Sequence, residues 1–303
     1  MVYAAPAAGW AGIILPVAVR TAPTSSCPAR GRAASAGPAR ARRGSTWFDA
    51  IVVVGVIGVL ISLLIPMMLT ARERSDMARC ANHLRMIGAA LARYATDNHG
   101  RLPATRPAAD GWAMPDLSSS GFDSPDPFGE RGPAPNNVPA VLYLLVRTEA
   151  LDPAIFICPA TSGVPDTFGG RSALARSNFT DIGLNLTYSV QNPYSDNLAG
   201  FNWTTRLPAD FAIVADLNPG PEPQVPASQR SRSQWLRNSP NHGGRGQNVL
   251  YADWRVEFRT DPLAGVNGDH IYVNKRGEVF GPPVDRHDSI LLPAARPEAG
   301  GEE

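Results

Sequence analysis

The stretch AIVVVGVIGVLISLLIPMML, residues 50 to 69, contains no charged side chain and sets the fold class of the chain. At a rise of about 1.5 Å per residue, a helix of this length crosses the roughly 30 Å hydrocarbon core of a bilayer. A buried helix of a soluble protein is the alternative for such a run. Arginines flank the run on both sides, so their number does not fix its orientation. The run therefore predicts a transmembrane helix.

The helix is expected to continue beyond the apolar run as an amphipathic segment, residues 70 to 97. Apolar residues recur in this segment at spacings of three and four, which places them on one helix face. We expect that face to pack on a globular domain. The helix should end near Asn98-His99-Gly100, because glycine is common just past a helix end. The apolar positions are Met77, Cys80, Leu84, Ile87, Leu91 and Ala95.

The remainder of the chain divides by composition into a loop, a domain and a tail. Residues 101 to 140 are rich in Pro, Gly, Asp and Ser and predict a long loop. Residues 141 to 293 contain strand-sized apolar runs with short connections, which favour an antiparallel sheet. Residues 294 to 303 are expected to be a disordered tail. The predicted class is α+β, in which a long N-terminal helix (residues 45 to 100) packs on a C-terminal β-rich domain with long loops.

Individual apolar runs within this domain differ in what they predict. VLYLLV (141 to 146) is compatible with a helix turn or a strand, whereas AIFIC (154 to 158) predicts a strand closed by Pro159. Strands are also predicted at LTYSV (186 to 190), FAIVAD (211 to 216), NVLYAD (248 to 253), RVEF (255 to 258), HIYV (270 to 273) and EVF (278 to 280).

The segment before the apolar run has the composition of a leader. Residues 1 to 44 contain six arginines and no acidic residue, and are otherwise mostly Ala, Pro, Gly and Ser. Such a segment is typical of a processed or unstructured leader. Two alternatives remain open from the sequence: a genuine extended leader, or a start codon that lies further downstream.

Composition and motifs exclude several function classes. The formal net charge is +1, and no concentrated basic face follows residue 105, so no nucleic-acid partner is expected. The three cysteines lack CxxC spacing, and the five histidines are dispersed. No GxSxG, Walker A or GxGxxG motif is present. The sequence thus gives no positive case for an enzyme, and we interpret His242 as a residue that shapes a loop.

Residues 44 to 68, GSTWFDAIVVVGVIGVLISLLIPMM, resemble the prepilin cleavage and methylation signal of type IV pilin-like proteins and pseudopilins. In that family a Gly closes a basic leader, a carboxylate lies five residues later, and a Pro lies near the far end of the helix. Here these positions are Gly44, Asp49 and Pro66. The resemblance implies a cut between Gly44 and Ser45. It also implies that Asp49 meets the free amino terminus of a neighbouring subunit, while Pro66 loosens the helix.

Two positions depart from the family pattern. Ser45 stands where the family generally has Phe or Met, and Asp49 replaces the usual Glu. These departures bear on amino-terminal methylation and assembly more than on membrane anchoring.

Later segments are similar to pseudopilin-like proteins of planctomycete-type bacteria, which are often labelled DUF1559 or type II secretion G-like. The similar segments are residues 80 to 103, 156 to 160, 241 to 258 and 288 to 293. Asp253-Trp254 stands where that group has Asp-Gly. Because Trp resists the positive backbone angles of a tight turn, we expect this turn to be opened or shifted.

The resemblance implies a structural subunit with a pilin-like fold. A prepilin peptidase would process it, and it would span the bacterial inner membrane once, with its C-terminal domain in the periplasm or at the cell surface. Its other partners would be pilin or pseudopilin subunits of a pilus or a type II secretion-like pseudopilus. The alternative is a binding module that the same anchor tethers outside the cytoplasm, without assembly.

Two further sites follow if the domain lies outside the cytoplasm. Cys80 and Cys158 either form a disulfide, which closes a loop of 78 residues (158 minus 80), or remain buried free thiols. The chain-entropy estimate for such a bridge is roughly 4 kcal/mol. Asp261, Asn267 and Asp269 offer oxygen atoms to calcium, as some pseudopilins do near their C-terminal ends, although turn-forming roles explain them as well. No other cofactor is expected.

Overall fold

The computed structural model describes residues 47 to 109, 114 to 195, 201 to 221 and 236 to 293. The chain divides into two compact units, Met1–Val56 and Ile57–Glu303. Of the first unit, the structure describes residues 47 to 56, which are helical. The predicted leader with Gly44 and Ser45, and the predicted tail from residue 294, lie outside the described residues.

Helix α1 spans Trp47–Asp97 and contains 51 residues. Among the described residues it is the one helix long and apolar enough to cross a membrane, and its most apolar 18-residue window has a mean hydropathy of 2.8. No residue of that window is buried. This exposure differs from that of a buried core helix, and by length and composition the run is a candidate membrane span.

The second half of α1 carries the predicted apolar stripe. Its residues from Cys80 to Ala95 are buried, while Met77 is half-buried. The helix ends where the sequence predicts, because Gly100 adopts a φ of +80° and donates its N–H to the Ala95 carbonyl at 2.7 Å. The amphipathic pattern and the glycine signal are both confirmed.

The domain contains a five-stranded antiparallel sheet of order β4-β3-β2-β1-β5. One face packs on α1 and on helix α2, and the other is covered by residues 264 to 272. Because both faces are covered, every residue of the three central strands is buried. The α+β class is confirmed. The strands are β1 Tyr188–Gln191, β2 Ala212–Asp216, β3 Gln247–Tyr251, β4 Val256–Arg259 and β5 Leu291–Leu292, and the helices after α1 are α2 Pro139–Thr148 and α3 Ile182–Asn185.

Four apolar runs differ from their predicted state or resolve an ambiguity. VLYLLV lies in α2 and is a helix. The predicted strand AIFIC is wrong: Pro153–Phe156 is a 3-10 turn, because Asp152 accepts a hydrogen bond from the Ala154 amide at 2.9 Å. The predicted strands at 270 to 273 and 278 to 280 are also wrong. The Asn274 side chain accepts from the Glu278 amide there at 2.9 Å, so a side-chain-capped turn replaces a β-ladder.

The β3–β4 hairpin forms around the Asp253-Trp254 turn. Trp254 itself adopts a φ of +71°, and its amide donates to the Tyr251 carbonyl at 2.9 Å. Arg255 lies over the Tyr251 ring at 4.1 Å and pairs with Asp253 at 2.7 Å. The expectation of an opened or shifted turn is therefore wrong, since these contacts close the turn and hold Trp254 itself in the left-handed region that glycine usually occupies.

Close approach between α1 and the sheet depends on Gly88. A Cβ atom at Gly88 would lie 2.9 Å from Leu250 Cδ1 in β3. Such a distance is tighter than ordinary van der Waals contact, so the leucine side chain occupies the space that a larger residue would need.

We predict that Gly88→Val lowers the free energy of unfolding by roughly 1 to 3 kcal/mol, because the added methyl groups overpack this contact. The matched control is Ala89→Val, which adds the same β-branch at the neighbouring exposed position. Denaturation of the full chain in detergent micelles measures both. Equal effects of the two substitutions would contradict the packing role of Gly88.

Candidate functional site

Four buried side chains that commonly bind metals lie together in the second unit: Cys80, Cys158, Asp216 and His242. We call them the Cys-Asp-His cluster. Their sulfur, oxygen and nitrogen ligand atoms all lie within 4.8 Å of one another. Among the described residues, no other group of three or more His, Cys, Asp or Glu side chains is as close.

The fold brings each member from a different segment. Cys80 belongs to the buried stripe of α1, and Cys158 follows the turn Pro153–Phe156, where its amide donates to Thr187 Oγ1 at 2.6 Å. Asp216 ends β2, and its pairing with Tyr188 of β1 directs it towards α1. His242 closes a second 3-10 turn, Pro240–His242, after which the chain continues through the left-handed Gly243.

The Asp216 carboxylate is completely buried, and both of its oxygen atoms accept hydrogen bonds. Its Oδ1 accepts from the Cys80 thiol at 2.7 Å and from Asn241 Nδ2 at 3.3 Å. Its Oδ2 accepts from the Asn248 amide at 2.6 Å and from Asn248 Nδ2 at 3.2 Å. Buried carboxylates are costly unless they are hydrogen-bonded or paired, and this one is both.

Three polar groups converge on one nitrogen of His242. Its Nε2 lies 3.2 Å from Asp216 Oδ2, 3.8 Å from Cys158 Sγ and 3.3 Å from Asn248 Nδ2. In a Cys-His-Asp catalytic relay, the nucleophile and the acid contact opposite nitrogens of the imidazole. Here the sulfur and the carboxylate contact the same nitrogen, so the geometry does not match such a relay.

Neighbouring groups shift the pKa values of the cluster in opposite directions. Burial raises the pKa of the Cys80 thiol well above its ordinary value. The hydrogen bond with Cys80 lowers the pKa of Cys158 to about 6, although burial opposes this. Burial disfavours the charged form of His242, but hydrogen bonds with Asp216 and Cys158 outweigh it and raise its pKa to about 10. The surroundings thus favour a thiolate at Cys158.

An outer layer of polar side chains surrounds the cluster. Tyr188 donates its hydroxyl to Cys80 Sγ at 3.3 Å, and Asn241 Nδ2 donates to the Thr187 carbonyl at 2.8 Å. On the other face of the sheet, the Tyr272 hydroxyl donates to the Asp216 carbonyl at 2.8 Å. These contacts fix the orientation of the inner residues.

A cleft of about 740 Å³ opens beside His242. It is lined on one side by charged residues of α1 and on the other by residues next to Cys158 and His242. Arg245 and Glu73 form an ion pair of 2.7 Å at its wall. Of the Cys-Asp-His cluster, His242 is the residue that lines this cleft. Its lining includes Arg72, Asp76, Pro159, Ala160, Thr161, Asn241 and Gly243.

The structure brings together only part of the sequence-predicted site residues. Asp49 and Pro66 both lie within α1. Cys80 and Cys158 do meet, but both are free thiols in the structure, which is the second of the two alternatives. The sequence does not predict Asp216 as a site residue, and it predicts His242 only as a residue that shapes a loop. An acidic residue at the end of the apolar run FAIVAD was the available signal, together with a histidine just before Gly-Gly.

The candidate calcium residues are used in turns. Asp261 Oδ1 accepts from the Leu263 amide at 3.0 Å, and Asp269 Oδ2 accepts from the Ser289 amide at 2.7 Å. Asn267 lies in a 3-10 turn with a φ of +58°. These contacts fit the turn-forming interpretation, and calcium binding stays a prediction.

Asp269 provides a test by pH. Burial raises its pKa to about 7, so the folded state retains a proton that the unfolded state loses above roughly pH 4. The resulting stabilisation is present below about pH 4 and is lost as the pH rises through about 7. We predict that Asp269→Asn reduces the fall in unfolding free energy across this window by on the order of 2 kcal/mol.

Asp261→Asn is the matched control and should leave that pH dependence unchanged. Melting temperatures of the full chain in micelles between pH 4 and pH 8 measure both variants. An unaltered pH profile in Asp269→Asn would contradict the prediction. Calcium added at pH 8 tests the ion-binding interpretation in the same samples, because a bound ion would raise the wild-type melting temperature but not that of Asp269→Asn.

No protein-family model, curated protein or solved structure matches this chain.

Proposed function

We propose that this chain is a structural subunit of the type IV pilin and pseudopilin class. A prepilin peptidase cuts it after Gly44, residues 50 to 69 anchor it in the bacterial inner membrane, and its sheet domain lies outside the cytoplasm. Its N-terminal helix then assembles with those of other subunits into a pilus or a type II secretion-like pseudopilus.

The observation that carries this proposal is a helix with two different surfaces along its length. The described large apolar side chains from Ile51 to Met68 are 48% to 73% exposed, whereas the apolar stripe from Cys80 onwards is buried. Exposed apolar surface costs roughly 25 cal/mol per Å² in water. The first part of α1 therefore requires lipid, the helices of neighbouring subunits, or both in turn. A pilin needs both environments, because it waits in the membrane before it joins a filament.

Sequence features at the start of the helix support processing and assembly. Arg42 and Arg43 precede Gly44, whose lack of a side chain suits a narrow peptidase cleft. Asp49 is the one charged residue between Gly44 and the end of the apolar run. An isolated carboxylate next to hydrocarbon is costly unless it is paired, and the amino group of a neighbouring subunit is a suitable partner.

Processing is tested by amino-terminal sequencing of the protein extracted from membranes. We predict an amino terminus at Ser45 in cells that contain a prepilin peptidase and an intact leader in cells that lack it. Gly44→Leu should retain the leader because the side chain obstructs the cleft. Gly37→Leu, a matched change elsewhere in the leader, should be cut normally. An intact leader in every strain would remove the prepilin assignment and leave only an anchored protein.

Assembly is tested at Asp49. We predict that Asp49→Asn leaves the protein in the membrane fraction but lowers its yield in sheared or cross-linked filaments at least about tenfold, because the carboxylate that pairs with the neighbouring amino group is lost. Asp97→Asn, at the exposed end of the same helix, is the matched control and should assemble normally. Filament yields independent of Asp49 would instead favour a tethered binding module.

A further inference from the structure

We propose that the Cys-Asp-His cluster is a zinc site, in which two sulfurs, one imidazole nitrogen and one carboxylate oxygen bind a single Zn²⁺. This inference concerns the folded domain alone and goes beyond the proposed function. It holds whether or not the chain assembles.

The donor set and its spacing match a tetrahedral zinc ion. With metal–sulfur distances of about 2.3 Å and metal–nitrogen or metal–oxygen distances of about 2.0 Å, the four donors lie roughly 3.3 to 3.8 Å apart. His242 Nε2 is 3.2 Å from Asp216 Oδ2 and 3.8 Å from Cys158 Sγ. The 2.7 Å contact between Cys80 Sγ and Asp216 Oδ1 is shorter, because a thiol proton now joins these atoms, and all four ligand atoms lie within 4.8 Å of one another. Replacing that proton by zinc requires a side-chain adjustment of under about 1 Å.

The convergence on His242 Nε2 favours a metal over the other uses of these residues. A metal ion needs its donors around one centre. Cys158 Sγ and Asp216 Oδ2 both lie near His242 Nε2, and Cys80 Sγ completes a group whose ligand atoms lie within 4.8 Å of one another. A disulfide between Cys80 and Cys158 would use neither Asp216 nor His242. It would also remove the thiol proton that Asp216 now accepts, leaving a completely buried carboxylate with one donor fewer.

The surrounding hydrogen bonds have the form of a metal site's outer layer. Zinc-binding carboxylates are usually held by further donors, and Asp216 is held by Asn241 and Asn248. Two thiolates, one carboxylate and Zn²⁺ sum to a single negative charge. The Tyr188 hydroxyl, 3.3 Å from Cys80 Sγ, is a further donor that stabilises this charge.

With four protein ligands the proposed site is closed, which is the arrangement of structural rather than catalytic zinc. The Cys80 thiol and the His242 imidazolium each release one proton to solvent on binding, since the surroundings already favour a thiolate at Cys158. His242 lines the cleft through which zinc and protons would pass. The ion would join α1, the segment after Pro153–Phe156, the end of β2 and the turn Pro240–His242. It would therefore hold the helix on the sheet without a disulfide.

The first test measures zinc in the full chain, purified in detergent micelles with a reductant and without chelators. We expect about one Zn²⁺ per chain by elemental mass spectrometry, and a fall in melting temperature of about 10 °C or more after chelation. Zn²⁺ should restore the melting temperature, whereas Mg²⁺ should not. His242→Asn should lose the metal. His99→Asn, the same change at an exposed histidine beyond α1, should retain it.

A second measurement keeps the test independent of variants that fail to fold. Co²⁺ added to the chelated wild-type chain should give the strong visible bands of tetrahedral cobalt and a thiolate-to-cobalt absorption in the near ultraviolet. Cys158→Ser, which preserves side-chain shape, should weaken the thiolate absorption. A folded wild-type chain that binds neither Zn²⁺ nor Co²⁺ would overturn the proposal. So would a Cys80–Cys158 disulfide found by mass spectrometry after purification without a reductant.

Discussion

The packing of the α1 stripe on the sheet is the constraint on which the rest of the domain depends. Gly88 lets the helix approach Leu250 closely, and the same face carries Cys80 to the end of β2. Once the helix lies there, α2 completes the cover of that sheet face. Residues 264 to 272 cover the other face, so even the predicted strand at 270 to 273 serves as a cap rather than as an additional strand.

The buried carboxylate of Asp216 lies within the largely apolar contact between α1 and the sheet, and a buried carboxylate requires a physical reason. Asp216 ends a strand whose five residues are all buried, and replacing it by an apolar residue would at first sight improve the core. Instead, the fold supplies Asn241, Asn248 and the Cys80 thiol to satisfy it. Buried polar networks of this kind are stabilising only when every member is satisfied. A network that also contains two sulfurs and an imidazole has the chemistry to bind a metal, which a purely structural hydrogen-bond network does not need.

Local sequence patterns predicted the parts of the fold that local physics controls. The uncharged run, the stripe from Cys80 to Ala95 and the glycine stop all depend on spacing within one helix, and spacing is visible in the sequence. The strand at AIFIC failed because Asp152 and Pro153 start a 3-10 turn, a capping effect stronger than β-propensity over five residues. β5 has only two residues, too few for a periodic signal. Of the Cys-Asp-His cluster, only the two cysteines were predicted from the sequence to meet. Strand pairing and loop closure, rather than spacing along the chain, bring Asp216 and His242 to them.

The two halves of α1 meet different physical requirements. The proposed subunit, which lies first in the membrane and then in a filament, needs this separation. The described large apolar side chains from Ile51 to Met68 are exposed, and the proposed function places them in lipid or against other chains. The stripe that begins at Cys80 is buried within the domain and needs no partner. Under the proposed function, a change of surroundings for the first half, from bilayer to neighbouring helices, would leave the contacts of the second half intact. A metal ion at Cys80 would strengthen this independence, because it would fix the helix to the sheet on the domain side of the apolar run.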